Sequence, residues 1–197
     1  MALFPGAEVL LTAALSIFLF LALCAALVLI VVALRRPSTY PLLVAGILVV
    51  LGLVIVAIAP VDVPSIMGII LTVLGVAVAG LGGNPVARRL LEIASGSRVR
   101  ETDDGGIVVL EAEQDPGATP KTLMRGGTVI GYLERLAAVI AIVVGYPEAI
   151  AVVVAVKGIG RFSELGEPEA RERFIIGTLA SLLWACAVGA LLRLAIW

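Results

Sequence analysis

The sequence predicts an all-α integral membrane protein of about six transmembrane helices, set three and three about a small cytoplasmic insert. Three observations predict it. Of the 197 residues, 61% are hydrophobic and 15% charged, with a mean hydropathy of +1.15, whereas soluble domains are nearer half apolar and about a quarter charged. Apolar runs approaching the ~20 residues that a bilayer span requires recur along the chain. Cations are sorted by loop, as the positive-inside rule demands.

Taken in order, the runs fall at 8–34, 41–59, 66–83, 127–146, 147–162 and 172–196. They divide the chain into a three-helix membrane region (1–83), a cytoplasmic segment (84–126) and a second three-helix membrane region (127–197). The first run exceeds the 7–15 residues usual for the apolar part of a signal peptide, and no Lys or Arg precedes it, so it reads as an anchor. "RRPSTYP" and "PVDVPS" separate the first three runs, with proline marking each break. Arg35 and Arg36 follow the first run. Arg88, Arg89, Arg98, Arg100, Lys121 and Arg125 lie between the third and fourth, and Lys157, Arg161, Arg171 and Arg173 gather about the end of the fifth. The opposite side carries Glu8, Asp62 and Glu148, with Arg193 as its one cation. This asymmetry predicts a multi-pass membrane protein with both termini outside.

In the insert, "NPVARRLLEIA" opens with Asn84 as a helix cap and Pro85 at a first helical position, predicting a short helix lying on the inner membrane surface. Asp-Asp-Gly-Gly at 103–106, between two β-favouring runs, suggests a small hairpin. "QDPGATPKT" reads as a linker.

Small residues form stripes in three runs. Gly68, Thr72, Gly75, Ala79 and Gly83 share a face of the third. Gly127, Gly131, Glu134, Ala138, Ala141 and Gly145 share one in the fourth, and Gly177, Ser181, Ala185 and Gly189 recur every fourth residue in the sixth. Such stripes let helix backbones approach closely in lipid. They serve packing within one chain or, in the sixth run, the seam of a homodimer.

The stretch "GYLERLAAVIAIVVGYPEAIAVVVAVKGIGRF" places charges where a membrane resists them. Counted from Tyr146, Glu134 lies 12 residues before and Lys157 11 after, so antiparallel arms bring the two to one depth, with Arg161 a turn beyond. A full crossing is expected over a dip and return, because the dip buries Glu148 without a cation while the crossing lets Lys157 snorkel. Three readings of the cluster Glu134, Arg135, Lys157 and Arg161 stand. It is a locking ion pair, a proton or cation site, or, with Arg125 and Arg173, a basic pocket for an anionic lipid headgroup.

Catalytic signals are lacking. The chain has no histidine, which removes the commonest general base and metal ligand. Cys24 and Cys186 sit in apolar runs without metal or disulfide spacing, and no nucleophile elbow, paired-carboxylate motif or phosphate loop fits. No cofactor, metal or nucleic acid is expected. The leading functional reading is a non-enzymatic transporter, channel-like protein or accessory subunit with a charged site on its cytoplasmic half. The alternative is a membrane-embedded enzyme or scaffold handling an anionic or lipid-linked substrate.

Residues 127–192, through "IGYLER", "AVKGIGRFSEL" and "ERFIIGTLASLLWA", resemble the C-terminal tail of a family of uncharacterised bacterial inner-membrane proteins, of actinobacterial type, that carry a domain of unknown function. The resemblance implies importance for Glu134, Arg135, Lys157, Arg161, Gly177, Thr178 and Ser181. It covers about a third of the chain and implies no activity.

Overall fold

A computed structural model describes residues 5–35, 38–59, 63–95, 100–101, 107–108, 127–162 and 168–196. Among the described residues, six helices carry the fold: α1 (Pro5–Arg35), α2 (Thr39–Ile58), α3 (Ser65–Ser95), α4 (Gly127–Val143), α5 (Ala149–Gly160) and α6 (Pro168–Ile196). Four contain stretches long and apolar enough to cross a membrane: Glu8–Arg35, Thr39–Ile58, Ser65–Ala94 and Ala170–Ile196. This is the architecture of a helical membrane protein. At about 1.5 Å per residue, the 17 residues of α4 rise about 25 Å and the 12 of α5 about 18 Å, short of the ~30 Å hydrocarbon core.

One expectation is corrected here. The third span was expected to stop at 83 and a separate surface helix to begin at Asn84. Instead α3 runs unbroken through Asn84 and Pro85 to Ser95. Pro85 withholds only the donor that would reach the carbonyl of Leu81. Continuing the helix keeps the remaining backbone paired within the segment, which an apolar environment rewards. It also brings Leu91, 7% exposed, against Gly177 of α6. Past that point α3 turns polar, with Arg89 donating to Glu92 at 2.6 Å.

The N- and C-terminal membrane regions share one core. α6 packs on α2, α3 and α4, while α1 packs on α2 and α3. Leu19, Leu23, Ile30, Val49, Leu71, Val78, Val188, Leu191 and Leu192 fill the interior. Small residues set the closeness of α3 to α6. Gly68 faces Ile196, Gly75 faces Leu192 and Gly82 faces the indole of Trp184, an antiparallel ladder. Trp184 Nε1 donates to the carbonyl of Val78 at 3.1 Å, which satisfies the one polar atom of a large buried ring.

Of the insert, β1 (Arg100–Glu101) and β2 (Ile107–Val108) pair antiparallel, Arg100 opposite Val108 and Glu101 opposite Ile107. The turn and linker expected around them, at 102–106 and 109–126, lie outside the described residues.

Candidate functional site

The site begins with the turn between α4 and α5. The last four carbonyls of α4 need partners from beyond the helix; three find them in the turn and the fourth finds one on α6. Ile140 accepts from Val144 N–H at 2.9 Å, Ala141 from Tyr146 at 2.7 Å, and Ile142 from Gly145 at 3.0 Å. Val143 accepts from Arg193 Nη1 at 2.9 Å. The crossed pair from Tyr146 and Gly145 is a Schellman motif, and Gly145 supplies the left-handed backbone it needs with φ of 82°. Pro147 then prevents continuation. The chain reverses, and α5 returns along α4.

That reversal sets the charges level. Lys157 Nζ donates to Glu134 Oε2 at 2.5 Å, the pair expected from equal spacing about Tyr146. Glu134 is 6% exposed, and its second oxygen, Oε1, is buried without a hydrogen-bond partner. Lys157 also stands 5.6 Å over the ring of Phe174, a cation–π contact that ties α5 to α6.

Arg135 points the other way, into the seam of α3, α4 and α6. It is 1% exposed. Its Nε donates to the carbonyl of Gly80 at 2.8 Å and its Nη1 to Ser181 Oγ at 2.8 Å, while Tyr132 lies 4.8 Å beneath the guanidinium. Glycine makes this crossing possible, since a Cβ at Gly83 would collide with Arg135 Cδ and Ser181 Oγ. The third nitrogen, Nη2, is buried with no hydrogen-bond partner. A buried cationic donor left unpaired is costly in a low-dielectric setting.

Arg135 lines a cavity of about 140 Å³ whose other described polar walls include Lys157, Arg161, Arg173, Thr178 and Asn84. Arg161 is 9% exposed and Arg173 is half-buried. No carboxylate is among the described lining residues. Beside it runs an apolar groove of about 670 Å³ between α4 and α5, formed by Leu133, Val152, Val153 and Val156 with Glu134, Lys157 and Arg161.

The structure thus gathers Glu134, Arg135, Lys157, Arg161 and Arg173 at one end of the bundle. Arg125 lies outside the described residues. Sequence reasoning missed Asn84, the Gly80 carbonyl and Phe174. Backbone carbonyls leave no mark in a sequence, and Asn84 reads as a cap.

The stripe on α6 is corrected as well. Ser181, Ala185 and Gly189 are buried, with Ser181 bonded to Arg135, and Gly189 lies against Ile142 of α4. Gly177 faces Leu91 of α3. Helices of the same chain fill this face, which leaves no room on it for the dimer seam expected there.

Comparison with protein-family models, with curated proteins and with solved structures finds no match for the chain, so the resemblance of residues 127–192 rests on its motifs alone.

Proposed function

We propose that the chain is a six-span protein of the bacterial cytoplasmic membrane, with both termini outside, that binds an anionic group on its cytoplasmic half in a transport or accessory role rather than an enzymatic one. One observation carries the reading. Arg135, whose Nη2 is a buried donor without a hydrogen-bond partner, is among the residues lining a cavity whose described ionisable walls are all cationic. Guanidinium forks match phosphate and carboxylate geometry, which suits this wall to an anionic group.

The six-span layout draws support from the hairpin turn. Arg193 sits in the last turn of α6 and donates to Val143, so the α4–α5 turn stands level with the far end of a long helix. Tyr146 is exposed there, as aromatic side chains at a membrane interface are. Charge sorting supplies the orientation. Cysteine introduced at Asp62 or Glu148 in a cysteine-free chain labels from outside intact cells and cysteine at Asp104 does not; the reverse pattern overturns the topology.

The anion reading is tested with inorganic phosphate on purified protein. Phosphate, at constant ionic strength against chloride, raises the thermal midpoint of the wild type, and Arg173→Gln and Arg161→Gln reduce the rise. A midpoint indifferent to phosphate and shifted by sodium ions or protons through Glu134 sinks the anion site and favours a cation path.

A further inference from the structure

We infer that the cavity beside Arg135 is the blind end of an aqueous vestibule, entered only from the side of the membrane where α3 and α6 carry Arg88, Arg89, Arg171 and Arg173, and ending near mid-bilayer. The inference deepens the transport reading above by giving its site a depth and a single side of access. Its first support is depth. α4 and α6 run side by side in the same direction, with Ile142 against Gly189 and Arg135 bonded to Ser181. The apolar run of α6 is bounded by Arg173 and Arg193, 20 steps apart, which at ~1.5 Å per residue matches the ~30 Å hydrocarbon core. Ser181 lies eight steps from Arg173 and 12 from Arg193, so its level is about 12 Å inside one edge and about 18 Å from the other.

The second support is the lining. From Arg173 at the edge to Arg135 and Ser181 at the inner end, the cavity of about 140 Å³ passes Thr128, Thr178 and Asn84. Hydroxyl, amide and guanidinium groups give water the hydrogen-bonding walls it needs, whereas an apolar space of the same size stays dry. Glycine helps to keep the space open. Gly131 is part of the lining, and a Cβ there would stand 3.1 Å from Arg135 Nη1 and 3.6 Å from Asn84 Oδ1.

Third, the way to the opposite side is sealed. Beyond Ser181, the buried side chains of Trp184, Ala185, Val188 and Leu192 on α6 pack with Val139 of α4 and Val78 of α3. The one polar atom of Trp184 is bonded to the carbonyl of Val78. A solute beside Ser181 therefore meets water on one side and about 18 Å of packed hydrocarbon on the other. A site near the midplane reached from a single side is one of the two end states of an alternating-access carrier.

The test uses the full chain with Cys24 and Cys186 replaced by alanine, in right-side-out and inside-out membrane vesicles. Single cysteines are probed with a membrane-impermeant charged thiosulfonate, which reacts with the thiolate that forms in water and is suppressed in apolar surroundings. Thr128→Cys and Thr178→Cys are modified in inside-out vesicles and not in right-side-out ones. Leu179→Cys, beside Thr178 in the chain but at a position 59% exposed on the outer face of α6, is modified in neither, and nor is Val188→Cys in the seal. Adding Gly131→Leu to Thr178→Cys abolishes the modification while the size-exclusion profile stays unchanged. Thr178→Cys that reacts no better than Leu179→Cys, or that reacts from both faces, overturns the vestibule. Modification confined to right-side-out vesicles keeps the vestibule and reverses the orientation. Inorganic phosphate protects Thr178→Cys, and modification that phosphate leaves unchanged overturns the anion reading alone.

Discussion

Helices α5 and α6 are both apolar and neighbours in the chain, yet they are held by different means. α6 buries Ala185, Val188, Leu191 and Leu192 almost completely and meets glycines of α3 at Gly68, Gly75 and Gly82. α5 buries no residue. What fixes α5 is a turn at one end and charges at the other, namely the Schellman motif at Gly145, the bond from Lys157 to Glu134 and the stacking of Lys157 on Phe174. The difference follows from the solvent. In lipid, hydrocarbon contact gives no net drive for association, so helices associate by close packing or by polar bonds. α6 takes the first course and α5 the second.

The sharpest way to break this contrast is to remove the polar clasp on one side only. Lys157→Met leaves the Glu134 carboxylate buried and uncompensated, a change that costs about 3–5 kcal/mol in soluble cores and less where local hydration softens it. We expect it to be the most damaging substitution in the hairpin. The double variant Glu134→Gln with Lys157→Met is milder than Lys157→Met alone. A double-mutant cycle on thermal unfolding measures the coupling, and additive single effects would remove the clasp from the account.

Next in size is a change on the packed helix. Gly189→Leu drives a side chain into Ile142, whose Cδ1 already lies 3.2 Å from where a Cβ would stand. Overpacking of this kind costs about 1–3 kcal/mol. Stability falls while the mass of the detergent-extracted particle stays unchanged, because this face packs within one chain. A change of oligomeric state without loss of stability would restore the seam reading.

Gly145→Ala tests the turn. Alanine at a left-handed φ costs about 1–2 kcal/mol, and its Cβ also meets Arg193 Nη1 at 2.8 Å. The expected result is a modest fall in melting temperature together with faster proteolysis between α4 and α5. No change in either would mean that the turn contributes little to holding α5.

The smallest effect belongs to the outer face of α5. Ile159→Ala, at a position 78% exposed, shifts stability by no more than about 0.5 kcal/mol. A larger loss would mean that this face is packed against something and that α5 resembles α6 after all.

Much of this contrast is legible in the residues. Hydropathy marks the four long helices because each must satisfy its backbone internally and face hydrocarbon. Equal counts about Tyr146 place Glu134 and Lys157 together, since two arms leaving one turn descend at the same rise per residue. Arg135 is different. Adjacent to Glu134, it reads as one more anchor of the cytoplasmic end, whereas the 100° step between neighbours sends it into the α3–α6 seam. There its partners are a backbone carbonyl and a serine, neither predictable from charge. The extension of α3 escapes for a related reason. Asn-Pro reads locally as a helix start, and only tertiary burial of Leu91 and Pro85 shows why the chain keeps winding. The basic cavity needs α3, α4, α5 and α6 at once, so no single stretch announces it.

The bond from Arg193 to Val143 spans 50 residues of chain, and this has a consequence for biosynthesis. While the protein is being made, α4 and α5 leave the ribosome well before the last turn of α6. Until Arg193 follows, the end of α4 presents an open carbonyl, which hydrocarbon does not tolerate without a donor or water. The hairpin therefore gains this last bond only once the final turn of α6 has been made.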